Sequence, residues 1–188
     1  AHTAWLRHYR RETAATREWA EADIEFSGEQ GFPFFLAQGT ILRGWALAEQ
    51  GLPTEGIAQM RQGLAGHEAG GVLLIRPYWL SLLAQAYGRS GRAEEGLRVL
   101  DEALAMLHDQ HVWEPELHRL RGELLLAHLG GRDDAEAALV DAYAAAEAGQ
   151  FIAQAESSFW HAIKVARGQQ CKSIELRAST SLARLWKI

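Results

Sequence analysis

Small residues recur in this chain at intervals of forty, and that recurrence limits the fold more than any other feature. Gly96 lies inside "LLAQAYGRSGRAEEGLRVLDEAL", residues 82 to 104, an amphipathic run in which glycine costs about 1 kcal/mol relative to alanine. Forty residues upstream, Gly56 holds the same place in "LAEQGLPTEGIAQMRQGL", and about forty further back Ala15 holds it in "RRETAATREWAEAD". Each is preceded twelve positions earlier by a second small residue: Gly44 before Gly56, Ala84 before Gly96, Thr3 before Ala15. Each is followed at four and seven positions by a large apolar and a small residue, as Trp19 and Ala22, Met60 and Gly63, Leu100 and Ala103. A period of about 34 to 47 residues with two helices per unit is the signature of stacked helical hairpins. Helices cross at close range only where the facing side chains are small, so backbone contact offsets the low helix propensity of glycine.

These residues resemble the tetratricopeptide repeat, which places small residues in both helices and a large apolar residue between the two small ones of the second. The unit here is a few residues longer than the usual repeat. More narrowly, "QGFPFFLAQGTILRGWALAEQG", "RPYWLSLLAQAYGRSG", "PELHRLRGELLLAHL" and "SIELRASTSLARLWKI" resemble the C-terminal repeats of large bacterial signalling proteins. Those proteins carry a predicted ATPase module, often with an adenylate or guanylate cyclase-like domain. The resemblance implies that the 188 residues are a fragment of such a protein.

The expected fold is all-α: a right-handed α-solenoid of antiparallel hairpins, as one repeat domain over residues 1–188. Hairpins are expected near 1–30, 32–70, 74–110 and 113–170, with a terminal helix at 172–188. Gly51 ends one helix, and Pro53 suits the first turn of the next. The fourth unit breaks the rhythm. From Gly122, the matching small position is either Ala135 or Ala155, because "AEAALVDAYAAAEAGQ" and "AESSFWHAIKVARGQQ" align at an offset of 20. Residues near 133–153 therefore look like an inserted helix that must bury Leu139, Val140 and Tyr143. Whether Gly149 breaks 133–168 into two helices is left open by the sequence. Asp133 and Glu136 have the spacing of a capping box.

Composition excludes several classes of function. Hydrophobic residues make up 48% and charged residues 23%, with 4 prolines, which suits a packed helical domain. No apolar run approaches the roughly 20 residues of a membrane span, and no secretory leader is evident. The single Cys171 and the absence of asparagine leave neither an internal disulfide nor a glycosylation sequon. A cytoplasmic location is the default expectation. Net charge is −5, and the nearest basic stretch, "LRHYRR" with Arg7, Arg10 and Arg11, reads as a solvated helix face; no nucleic-acid contact is expected.

No catalytic motif emerges: there is no phosphate-binding loop, dinucleotide fingerprint, zinc-protease helix or nucleophile elbow. His108 and His111 in "LHDQH" stand three apart beside Asp109, but two ligands without a third bind metal weakly. The expectation is a protein that is not an enzyme, with no cofactor and no metal. By resemblance to tetratricopeptide hairpins, the first helix of each pair lines a concave groove. The residues so placed are Gln38, Ile41, Trp45 and Glu49, then Tyr78, Ser81, Gln85 and Arg89. Glu116, Arg119 and Glu123 follow, with Glu175 and Leu182 from the last helix. The implied function is a protein-interaction scaffold for a protein or peptide segment, including other domains of the same parent chain. A small-molecule sensor and a homodimer-forming module are the alternatives.

Overall fold

A computed structural model describes residues 2–71, 74–107, 111–130 and 141–187. Among them all regular structure is helical: α1 (His2–Tyr9), α2 (Thr13–Gln30), α3 (Pro33–Glu49), α4 (Pro53–Ala69), α5 (Arg76–Arg89), α6 (Ala93–Ala105), α7 (Glu114–Gly130), α8 (Asp141–Gly168) and α9 (Lys172–Leu185). The chain divides into two compact units, Ala1–Ser90 and Gly91–Ile188. Their boundary falls inside the stretch 74–110 expected as one hairpin.

Five turns keep strict time. Left-handed backbone occurs at Arg11, Gly31, Gly51, Gly71 and Gly91, positions twenty apart and thus half of the forty-residue interval, and again at Gln170, off that spacing. At Gly31, with φ of 69°, the chain leaves α2 and its N–H donates to the carbonyl of Ser27; glycine adopts this conformation without a Cβ penalty. Prolines then open α3 and α4, where the missing N–H costs no intrahelical bond.

In unit 1 the tightest crossing is between α3 and α4. A Cβ on Gly44 would stand 2.6 Å from the carbonyl oxygen of Gly56 and 2.9 Å from Met60, and one on Gly56 would strike the Gly44 carbonyl in turn. Further along, a Cβ on Gly63 would meet Ile41 at 2.6 Å and the Ala37 carbonyl at 2.8 Å. Residue 44 facing 56 while 41 faces 63 makes the pair antiparallel. Met60 fills the space between the two small positions and is fully buried, as its spacing predicted.

The first pair departs from the expected register by one residue. The buried face of α2 is Thr16, Ala20, Asp23 and Ser27, while Trp19 is exposed. Ala4 and Thr16, not Thr3 and Ala15, thus stand forty before Gly44 and Gly56. Threonine is tolerated at this buried place because its hydroxyl donates to the Glu12 carbonyl at 2.9 Å, which satisfies the polar group.

Unit 2 uses α6, α7, α8 and α9. Its core gathers Leu125 of α7, Ala155, Phe159, Ala162 and Ile163 of α8, and Ala178, Leu182 and Leu185 of α9. A Cβ on Gly122 would lie 2.5 Å from the Phe159 ring, and Ala155, buried four residues before Phe159, lies in the part of α8 that partners α7. Helix α8 runs unbroken through Gly149. Residues 133–140, with Asp133, Glu136, Leu139 and Val140, lie outside the described residues, as do Ala135 and the side chain of Tyr143.

Glycines with and without a neighbour give opposite expectations. Gly56→Ala forces backbone apart and lowers stability by about 1–3 kcal/mol despite better helix propensity. Gly28, inside α2 with nothing near its Cβ direction, raises stability by about 0.5–1 kcal/mol as Gly28→Ala. Urea-unfolding midpoints of the two variants check both signs.

Candidate functional site

The residues expected to line a groove separate into a buried set and a surface set. In unit 1, Ile41, Trp45, Gln38, Tyr78 and Ser81 are all buried. Trp45 and Tyr78 were expected to line the groove, and the structure covers them with α1. The His8 ring meets Trp45 edge-on at 4.2 Å between centroids, and Tyr78 Oη lies 2.7 Å from His8 Nδ1. Trp5 packs against Tyr78 at 5.6 Å and Trp79 at 5.2 Å, while the Arg11 guanidinium sits over Trp45. Hydrophobic burial and ring-edge contacts draw the helix across this face.

The remaining expected residues of unit 1 meet one another. Arg89 of α5 donates to Glu49 of α3 at 2.7 Å, and Gln85 donates to the same carboxylate at 3.4 Å. In unit 2, Arg119 is buried and its guanidinium pairs with Glu116 and Glu123 of its own helix α7. Helix α9 joins this network: Arg177 reaches Glu116 at 3.0 Å, and the Ser181 hydroxyl donates to Glu123 at 2.9 Å. Burial alone would make the Arg119 cation easier to discharge, but hydrogen bonds and the charges of Glu116 and Glu123 outweigh that and raise its pKa. Glu175 faces Arg167 and Lys172 instead, at 2.9 and 2.8 Å, and Leu182 belongs to the core.

A second constellation was not found from sequence. Glu114 and His118 stand one turn apart on α7, and His161 projects from α8. One ligating atom from each lies within 4.8 Å of the others. His161 Nε2 donates to Glu114 Oε1 at 2.8 Å, and His111 Nδ1 donates to Glu114 Oε2 at 2.7 Å. The rings of His118 and His161 are 4.1 Å apart. Burial, reinforced by the neighbouring His161 and by Arg121 and opposed by Glu114, lowers the His118 pKa from 6.5 to about 4. Burial raises the Glu114 pKa, yet the hydrogen bonds from His161 and His111 prevail and hold it below the usual carboxylate value. His108 and Asp109, singled out with His111, lie outside the described residues.

A cleft of about 310 Å³ in unit 2 is lined by Arg92, Glu94, Glu95 and His128 among others. Its polar groups pair among themselves, Arg92 with Glu95 and His128 with Glu94.

Comparison with known proteins finds no matching family model and no matching solved structure. The chain is similar to a protein of Rhizobium meliloti (strain 1021) described as "Uncharacterized protein R02095", at 28% identity over 132 residues. The match takes in 69% of this chain, which spans 13% of that relative's length.

Two expectations follow from the electrostatics. Arg119→Met leaves two carboxylates without their buried cation and costs about 3 kcal/mol, read from denaturant unfolding. For His118, the folded chain binds fewer protons than the unfolded chain between pH 6.5 and about 4. Stability therefore falls on acidification through that window. In chelator-treated protein, the His118 ring resonance titrates near the lower value, and His118→Phe flattens the window.

Proposed function

We propose that the chain is a stack of helical hairpins of tetratricopeptide type that acts as a non-catalytic protein-interaction scaffold within a larger signalling protein. The observation that carries this reading is the register of first helices within each unit. In unit 1 the expected positions Glu49, Gln85 and Arg89 meet across α3 and α5; in unit 2 the expected Glu116 and Glu123 meet Arg177 and Ser181 of α9, while the expected Glu175 and Leu182 do not join them. Such a register is what stacked hairpins require, and it leaves a polar, partly exposed row suited to orienting a partner rather than to anchoring one. Rim charges of this kind set specificity and association rate more than affinity. The share of the relative's length that the match spans, 13%, supports a role beside other domains. Because α1 covers Trp45 and Tyr78, the accessible part of the surface in unit 1 is the Glu49, Gln85 and Arg89 row.

The test is direct binding between this chain and the separately produced domains encoded beside it, followed by calorimetry. One of them binds, and Arg89→Glu weakens it by about fivefold to tenfold while Gly28→Ala leaves it unchanged. Failure of every neighbouring domain to bind removes the intramolecular form of the proposal.

Exposed apolar residues favour self-association as a second reading. Trp160 of α8 and Trp186, just beyond α9, lie 6.0 Å apart with about half or more of each exposed, and Leu176 of α9 is 69% exposed. Solution mass across a range of concentrations separates the two, since a dimer through this face is lost in Trp186→Ser.

A further inference from the structure

We infer that Glu114, His118 and His161 form a binding site for a divalent transition-metal ion, Zn²⁺ by donor chemistry, that ties α7 to α8 within unit 2. Three observations on the molecule converge. The ligating atoms come from two packed helices and already lie within 4.8 Å of one another. An ion held at about 2.0–2.2 Å from each would draw them to roughly 3.4 Å apart, a contraction that side-chain torsions supply. Two imidazoles and one carboxylate are a borderline donor set, which selects Zn²⁺ and its neighbours over Ca²⁺ or Mg²⁺, whose sites are built from oxygen.

The surroundings fit the same use. His111 donates to the second oxygen of Glu114 at 2.7 Å, and the amide of Gln169 donates to the His111 carbonyl. The carboxylate is thus oriented by an outer partner that is itself fixed, as metal-bound carboxylates usually are. His118 and Glu114 are half-buried on α7, and His161 stands at the surface of α8, so the cluster is both shaped by packing and open to an ion from solvent. The His161 Nε2–H···Glu114 hydrogen bond occupies the position the ion would take; binding there exchanges that proton contact for a metal contact and either shifts the tautomer or releases a proton. Three protein ligands leave a fourth position for water.

The clamp would act at one end of a long lever. Helix α8 contributes both His161 and the Ala155, Phe159 and Ala162 face that receives Gly122 of α7. Metal at Glu114 and His118 would fix the first turns of α7 to the same helix whose Phe159 packs on Gly122 two turns later. Unit 2 thereby gains a ligand-dependent contribution to stability that the remainder of its core does not provide.

The experiment uses the whole 188-residue chain without an affinity tag. Co²⁺ is titrated first, because its visible d–d absorption reports coordination, and Zn²⁺ is then added in competition. One equivalent of Co²⁺ binds with a visible band, Zn²⁺ displaces it, and the melting temperature rises with Zn²⁺ concentration. His118→Ala and His161→Gln each weaken binding by at least about tenfold, and His111→Ala weakens it by about tenfold through the carboxylate alone. His161→Gln keeps a donor for Glu114 at a surface position, so far-UV circular dichroism stays native and the variant remains informative if His118→Ala fails to fold. Absence of saturable binding overturns the proposal. So does binding that His161→Gln weakens by less than about tenfold, because the ion would then sit elsewhere.

Discussion

Everything in unit 1 depends on two backbones being allowed to touch. Gly44 and Gly56 bring α3 and α4 so close that neither residue has room for a Cβ. That approach sets the depth at which Met60, Ile41 and Trp45 are buried. At the far end of the same α3, Glu49 accepts from Gln85 and Arg89 of α5. Unit 2 solves the same crossing differently. Gly122 admits the Phe159 ring rather than a second glycine, so the space is filled from one side by bulk and from the other by absence. Close packing with small residues and close packing around one large residue give comparable helix pairs.

Much of this was legible because glycine and alanine report geometry directly. Gly44, Gly56, Met60 and Gly63 have few reasons to recur with their spacing other than a crossing, and the structure places them at one. Thr16 and Asp23 were not legible as crossing residues, since polar side chains at those places do not announce burial. The eye moves to Ala15, one residue away, and the register slips. The twenty-residue spacing of left-handed turns was hidden for a similar reason: Arg11 occupies such a turn without being glycine.

The candidate sites were legible only as far as neighbours in one helix. Glu116, Arg119 and Glu123 stand at three- and four-residue spacings, and they pair as such spacings permit. Trp45 and Tyr78 were expected on a surface because their own hairpins turn them that way. Their burial comes from α1, which the repeat pattern does not direct onto them. The Glu114, His118 and His161 cluster needed α7 and α8 in their final register. Half of it is visible as a glutamate and histidine one turn apart, but the third member lies 43 residues beyond His118, and no local rule joins them.

Helix α1 carries a further consequence. Its Trp5 and His8 lie ring to ring on Tyr78, Trp79 and Trp45, so its place on unit 1 rests on aromatic contacts. Taking α1 away would uncover Trp45, Tyr78 and Trp79 together, because one short stretch of chain lies against all three rings.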